Sequence, residues 1–192
     1  MRLVLIRHTS VAVPRGVCYG QTDVPLAASF AEEAATVKEG LAAYTFDRVY
    51  CSPLSRCVRL AEYCGYPDAV RDDRLKEICF GDWEMRAYDD IQGPELQRWF
   101  DDYINVAPPG GESVIDQQRR FLDFIRDLRH DFSGITYPVM DRVPYTPPDT
   151  PTIALFTHGG ILINALVALA GRTFQEVYAD IPPYGSIIDL RI

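Results

Sequence analysis

Two short apolar segments, each followed closely by a histidine, constrain the fold more than any other feature of this sequence. Residues 3–6 (LVLI) lead directly into Arg7 and His8, and residues 153–156 (IALF) end two positions before His158. Apolar runs of this length are typical of strands that are buried on both faces of a parallel sheet. Sites in open α/β sheets form outside the carboxyl ends of the strands. We therefore predict that the two histidines share one site.

Strands and helices alternate along the 192 residues, which predicts one domain with a three-layer α/β/α sandwich and a mostly parallel central sheet. Ser29 and Glu32 have the spacing of a capping box, and Ser52-Pro53 has the pattern of an N-cap followed by a proline at the first helical position. Residues 75–111 show no clear periodicity. The predicted elements are strands at residues 3–6, 48–51, 69–71, 152–156 and 187–190, and helices that start at Ser29 and Ser52 and run over residues 112–129 and 160–170.

The composition argues against several classes of function. A formal charge of −8 disfavours nucleic acid and anionic membrane surfaces as partners. No apolar run approaches the ~20 residues of a membrane span, and the N-terminal apolar stretch is too short for a signal peptide, so a cytoplasmic protein is expected. Five cysteines without a CxxC spacing favour neither a zinc site nor a disulfide framework.

Three predicted strand ends bring cationic and imidazole side chains towards one pocket. Arg7 and His8 follow the first strand, Arg56 lies in the first turn of a predicted helix, and His158 immediately precedes another. Helix N-termini and arginine forks both bind phosphate oxygens. The pattern therefore predicts a small positive pocket for a phosphoryl group, set in an otherwise acidic protein.

The residue types in this pocket suit phosphoryl transfer. A neutral imidazole such as His8 can attack phosphorus and form a phosphohistidine, while the neighbouring cations neutralise the equatorial oxygens. A carboxylic acid must protonate the leaving alcohol and later activate water. Glu77, in apolar surroundings, is the preferred candidate, with Asp82 and Glu84 as alternatives. No HExxH or Walker A pattern is present, so neither a metal nor another cofactor is expected.

Four short segments carry these residues: RHT at 7–9, CSPLSR at 51–56, LKEICFGDWE at 75–84 and THGG at 157–160. In this order they resemble the motif blocks of the histidine phosphatase superfamily, which includes phosphoglycerate mutases and many phosphatases. The resemblance implies a phosphoglycerate mutase-like fold with His8 as the nucleophile and Glu77 as the proton donor. It also implies that Arg7, Arg56 and His158 are the phosphate ligands.

Further segments are most similar to the α-ribazole phosphatases of cobalamin assembly: YGQTDVPL at 19–26, GDWEMR at 81–86 and PGGES at 109–113. This similarity implies hydrolysis of α-ribazole 5′-phosphate, a small phosphorylated substrate. A mutase-like enzyme or a broader phosphosugar phosphatase remains an alternative. A phosphate-binding module without catalytic activity is an alternative from another class.

The loop after His8 departs from the family pattern. Thr9 replaces a usual glycine, and Val11 and Pro14 replace polar residues. Polar contacts to the phosphate or the leaving group are therefore either missing or supplied by other residues. The predicted substrate contacts are Thr9, Gly20, Gln21, Thr22 and Gly159.

Two segments have open roles. Residues 84–111, rich in aromatic and acidic side chains, are predicted to form a lid over the leaving group, with ordinary packing as the alternative. Residues 134–151 are a Pro-rich insertion relative to the family. They form either a solvated loop or a contact between two copies of the chain, which would make the protein a homodimer.

Overall fold

A five-stranded sheet organises the molecule in the computed structural model, which describes residues 1–133 and 150–192. The strands are β1 (Arg2–Arg7), β2 (Arg48–Cys51), β3 (Val70–Arg71), β4 (Thr152–Thr157) and β5 (Ile187–Arg191). Their order in the sheet is β3-β2-β4-β1-β5. The first four run parallel, and β5 pairs antiparallel with β1. The mostly parallel sheet predicted from the sequence is thus confirmed.

Helices cover both faces of this sheet. They are α1 (Phe30–Leu41), α2 (Ser55–Tyr63), α3 (Pro94–Asp101), α4 (Val114–Ser133), α5 (Gly159–Ala168) and α6 (Phe174–Ala179). Short 3-10 turns occupy Asp73–Leu75, Gly81–Trp83 and Tyr88–Asp90.

Alternation along the central strands sorts the core into two layers. Leu3 and Leu5 of β1 point to one face, where they belong to a core cluster with side chains of α4 and α5. Val4 and Ile6 point to the other face and belong to a cluster with α1 and α2. Because successive strand side chains face opposite ways, uninterrupted apolar runs are what a sheet covered on both sides requires. The three-layer architecture follows from this pattern.

The helix starts differ in detail from the predictions. Ser29 makes no capping hydrogen bond, and its hydroxyl instead donates to Glu33 Oε1 at 2.5 Å. Glu33 Oε2 also accepts the backbone N–H of Ser10 at 2.7 Å, so this carboxylate joins α1 to the loop after β1. The predicted capping box with Glu32 is wrong because the carboxylate that reaches Ser29 lies one full turn along the helix.

The helix predicted at Ser52-Pro53 begins only at Ser55, with Leu54 at the N-cap. The backbone N–H and the hydroxyl of Ser55 both donate to Asp23 Oδ1, at 2.9 and 2.7 Å. The Asp23 carboxylate, from a distant loop, therefore accepts the hydrogen bonds that a local N-cap side chain would otherwise accept. The hydroxyl of Ser52 accepts only a long hydrogen bond from the backbone N–H of Leu54, at 3.4 Å, and has a second role described below.

Two short helices escaped prediction. α3 has eight residues, begins at a proline and lies within the aromatic segment, and α6 has only six residues. A capping box between Thr173 and Glu176 does mark the start of α6 in the sequence. Elements of this length depend on tertiary packing, since isolated short helices are marginal in water.

The segment predicted to be a lid packs through Trp99, whose ring meets Trp83 edge-on at a centroid distance of 5.7 Å. Closure over a substrate stays a prediction. Of the predicted insertion, residues 134–149 lie outside the described residues. No helix in the described ranges is long and apolar enough to cross a membrane.

Candidate active site

The carboxyl ends of β1, β2 and β4 lie at one edge of the sheet and bring the predicted catalytic residues together. The imidazole rings of His8 and His158 lie with their centroids 5.1 Å apart. Arg56 Nε donates to His158 Nδ1 at 3.3 Å. Arg7 packs against the α-carbon of Gly159, where an added Cβ would lie 3.1 Å from the guanidinium carbon. The structure thus brings the predicted residues together, and their shared function stays a prediction.

His8 is held as a neutral imidazole with one nitrogen free. Its side chain is 2 % exposed, and Nδ1 donates to the backbone carbonyl of Thr9 at 2.7 Å. Since a carbonyl only accepts, Nδ1 carries the proton and Nε2 keeps its lone pair. Burial and the charge of Arg56 lower the pKa of His8 to about 3, against the opposing effect of the bond to Thr9. His8 is therefore unprotonated on Nε2 at neutral pH, as a nucleophile must be.

His158, at the N-cap of α5, is fully buried, and its ring contacts Arg56, Ser52 and the thiol of Cys57, which lies 3.4 Å from Nε2. Nδ1 accepts from Arg56, so Nε2 carries the proton and donates to the hydroxyl of Ser52 at 2.7 Å. Burial, followed by the charges of Arg56 and His8, lowers the pKa of His158 well below its usual value. Ser52, expected as a helix cap, thus positions an active-site ring.

Arg56 is completely buried, and the loop after β1 holds its guanidinium. Nη2 donates to the carbonyl of Gly20 at 2.6 Å and Nη1 to the carbonyl of Thr22 at 3.0 Å. Gly20 must be glycine because a Cβ there would lie 1.9 Å from the carbonyl oxygen of Ile78. These residues therefore orient Arg56 through their backbone, and direct contact with a substrate stays a prediction for them.

The carboxylate of Glu84 also holds the loop after β1 in place. It accepts the backbone N–H groups of Gln21 at 2.8 Å, Thr22 at 2.5 Å and Phe80 at 3.2 Å, and also the Thr22 hydroxyl. Burial alone would raise the pKa of Glu84, but these hydrogen bonds lower it below its usual value. An ionised carboxylate that is fully engaged in this way suits a structural role better than proton transfer.

Arg7 is positioned by residues 182–186, a loop that contains none of the predicted site residues. Nη1 donates to the carbonyl of Pro182 at 2.5 Å, and the guanidinium carbon lies 4.3 Å from the ring centroid of Tyr184. Arg7 Nε is buried and has no hydrogen-bond partner within residues 1–133 and 150–192. The backbone N–H of Gly185 donates to the carbonyl of His8 at 3.2 Å, which closes this loop onto the end of β1.

Two tyrosines link the two arginines at the solvent side of the pocket. The hydroxyls of Tyr19 and Tyr184 lie 2.7 Å apart, and Tyr184 is 38 % exposed. Tyr184 lies over Arg7, whereas Tyr19 lies 5.7 Å from the guanidinium carbon of Arg56. The pairing of residues so distant along the chain leaves no local signal, although Tyr19 stands within a segment that carries the family resemblance.

Glu77 reaches the N-terminus of α5. Its Oε1 accepts the backbone N–H of Ile78 at 2.9 Å and the side-chain amide of Gln117 at 3.0 Å, while the N–H of Gly160 lies 3.2 Å from both carboxylate oxygens. Arg120 Nη2 donates to the carbonyl of Glu77 at 2.9 Å and anchors the backbone. Glu77, like Arg7, thus reaches the first turn of α5.

The family departure at Thr9 causes no backbone strain. In the described part of the chain, Met85 is the one non-glycine residue with a positive φ, so Thr9 has an ordinary conformation. Thr9 is fully buried, and its hydroxyl has no hydrogen-bond partner among the described residues. Val11 pairs with Leu26 in an isolated bridge, so its backbone braces the loop. Within the described ranges, no group of three or more potential ligands could hold a metal ion.

Comparison with known families agrees with this geometry. The family model described as the histidine phosphatase superfamily (branch 1) matches residues 3–192. The chain belongs to this superfamily. The predicted family and fold class are confirmed, and the α-ribazole phosphatases among the relatives of the chain support a phosphatase enzyme.

The chain is also similar to individual histidine phosphatases with named activities. An adenosylcobalamin/α-ribazole phosphatase of Salmonella typhimurium is 34 % identical over 136 residues, 67 % of each chain. A glucosyl-3-phosphoglycerate phosphatase of Mycolicibacterium vanbaalenii is 30 % identical over 179 residues, 88 % of this chain and 74 % of the relative. Among solved structures, the α-ribazole phosphatase from Shigella flexneri has a TM-score of 0.82 at 26 % identity and covers 100 % of this chain and 91 % of that one.

Proposed function

We propose that this histidine phosphatase hydrolyses α-ribazole 5′-phosphate to α-ribazole and phosphate through a phosphohistidine at His8. The observation that carries the mechanism is the hydrogen bond from His8 Nδ1 to the carbonyl of Thr9 at 2.7 Å. It places the lone pair on Nε2, in a pocket where Arg56 and His158 are fully buried. The named α-ribazole phosphatases among the relatives support the substrate.

In the first half of the reaction, His8 Nε2 attacks phosphorus, a P–N bond forms and the P–O bond to the alcohol breaks. Arg7 and Arg56 offer guanidinium N–H groups to the phosphoryl oxygens, which carry the charge of the transition state. Glu77 gives its proton to the leaving oxygen. In the second half, ionised Glu77 takes a proton from water, the oxygen of which attacks phosphorus. The P–N bond breaks, phosphate leaves, and His8 is again neutral.

The tyrosine pair supports a substrate with a flat leaving group. α-Ribazole is a nucleoside with a heteroaromatic base, and aromatic rings in contact gain ~0.5–1.5 kcal/mol beyond simple burial. Tyr184, partly exposed beside His8 with its ring centroid 5.4 Å away, offers such a surface at the pocket. A phosphosugar monoester is the second candidate, because the glucosyl-3-phosphoglycerate phosphatase matches 88 % of this chain.

Release of inorganic phosphate from a panel of esters tests the substrate. The panel contains α-ribazole 5′-phosphate, hexose phosphates, phosphoglycerates and nucleotides, compared by kcat/KM. The proposal requires α-ribazole 5′-phosphate to rank first. A higher kcat/KM for a sugar phosphate would replace it with the second candidate.

Trapping of the phosphoenzyme tests the mechanism. Acid-labile, alkali-stable label from a phosphorylated substrate is expected on the wild-type protein and on His130→Asn, which changes an exposed histidine of α4. His8→Asn should carry no label and lose turnover. Label retained on His8→Asn would disprove attack by this residue.

A further inference from the structure

A chain of side-chain amides leads away from Glu77 into the interface between α4 and α5. Gln117 Nε2 donates to Glu77 Oε1 at 3.0 Å, and Asn164 Nδ2 donates to Gln117 Oε1 at 3.0 Å. Gln118 Nε2 in turn lies 3.4 Å from Asn164 Oδ1. Gln117 is 1 % exposed and Asn164 is fully buried. Neither residue belongs to the segments that resemble the family.

The hydrogen bonds along these side-chain amides run in one direction. An ionised carboxylate only accepts hydrogen bonds, so the NH₂ group of Gln117 must face Glu77 and its oxygen must face the donor of Asn164. Turning either amide over would bring two acceptors together in a buried place, which is unfavourable. Packing restricts the turn as well. A Cβ on Gly160 would lie 2.6 Å from Gln117 Oε1 and 2.8 Å from its nitrogen, so the amide fits closely against this glycine.

The two oxygens of Glu77 consequently differ. Oε1 accepts from the N–H of Ile78, from Gln117 and from the N–H of Gly160. Oε2 shares only the last of these donors, at 3.2 Å. A proton on Oε1 would compete with the donors that converge there, whereas Oε2 has lone pairs to spare. The proton of the carboxylic acid therefore belongs on Oε2.

We propose that Gln117 and Asn164 are positioning residues that hold Oε1 of Glu77 and leave Oε2 to exchange the proton with the leaving alcohol and with water. Asn164 acts through Gln117 by fixing the direction of its amide. The inference rests on the proposed role of Glu77 as the general acid and adds the residues that set its orientation.

Leaving-group dependence tests this arrangement. Gln117→Met removes the donor at similar size. It should lower kcat/KM for an alkyl phosphate about ten-fold, part of the ~10²–10⁴-fold that a general acid supplies. For p-nitrophenyl phosphate, whose leaving group needs no proton, kcat/KM should stay within about two-fold. This ratio reports formation of the phosphoenzyme, so it is independent of the later step in which Glu77 activates water.

A variant of Asn164 provides a second test of the positioning role. Asn164→Leu should give a smaller loss in the same direction, and the double variant should lose no more than Gln117→Met alone, since both act on one hydrogen bond. Phe124→Leu, a buried change on α4 beside Tyr50, is the matched control and should leave both esters unaffected. If Gln117→Met fails to fold, Asn164→Leu carries the test by itself.

Equal losses on both esters, or no loss with the alkyl ester, would overturn the positioning role. The Glu77→Gln variant distinguishes failure of the positioning role from failure of the proposed function. If Glu77→Gln slows alkyl esters selectively and the amide variants do not, only the inference about Gln117 and Asn164 is wrong. If Glu77→Gln shows no selectivity either, Glu77 is not the general acid and both proposals are wrong.

Discussion

Gly160 offers the most direct perturbation of the proposed general acid. A Cβ at this position would lie 2.3 Å from Glu77 Oε1, well inside an ordinary van der Waals contact. In Gly160→Ala, Glu77 must therefore retreat by about 1 Å, and a misplacement of that size can cost ~10²-fold in rate. We expect kcat/KM, which reports formation of the phosphoenzyme, to fall about 10²-fold for an alkyl phosphate and much less for p-nitrophenyl phosphate.

Gly159→Ala is the comparison, because it differs by one position and meets a different group. Its Cβ would lie 3.1 Å from the guanidinium of Arg7, which must shift by a few tenths of an ångström. The expected effect is a higher KM for both esters with little leaving-group dependence. Steady-state kinetics on the two esters separates these patterns. Thermal unfolding checks that both variants fold. Helix propensity should not destabilise them, because alanine favours a helix over glycine by up to ~1 kcal/mol. A folded Gly160→Ala with wild-type kcat/KM for alkyl esters would refute the reasoning.

Three further perturbations test other contacts. Burial, with a neighbouring arginine, lowers the pKa of His8 to about 3, so below about pH 6.5 the unfolded chain binds a proton that the folded chain does not. From this group the free energy of unfolding should fall by up to ~1.4 kcal/mol per pH unit as the pH drops towards 3. Urea titrations of His8→Asn should lack that part of the slope, and an unchanged slope would contradict the assignment. Tyr184→Leu removes the ring over Arg7 and should raise KM about five-fold, equivalent to ~1 kcal/mol, whereas the exposed Tyr63→Leu should not. Glu84→Gln leaves an amide where a carboxylate accepts three backbone N–H groups. This substitution should lower the free energy of unfolding, measured in urea, by ~1–3 kcal/mol. A smaller loss would contradict the structural role of Glu84.

Long, strongly patterned elements were predictable because their signal is local. The apolar runs of β1 and β4 indicate strands buried on both sides, and the helical spacing of α4 places Phe121 and Ile125 in the core, where both are found. The convergence of His8 and His158 followed from the rule that parallel strands end at one edge of the sheet.

Contacts between distant segments were not predictable. Ser52 was expected to cap a helix, but its hydroxyl binds His158, 106 positions away. Asp23 instead holds the first residue of α2. A serine before a proline carries the same local signal in either role, so only the packed structure could distinguish them.

The layered α/β architecture, the edge of the sheet where the candidate site lies and the types of group that meet there could all be inferred from the amino-acid sequence. Strand periodicity and residue chemistry are local properties, which a single sequence displays. The tautomer of His8, the hydrogen bond from Arg7 to Pro182 and the hydrogen bond from Gln117 to one oxygen of Glu77 became known from the folded chain. Each of these depends on where a donor or acceptor from another part of the chain comes to lie within about 3 Å, and no periodicity encodes such a distance.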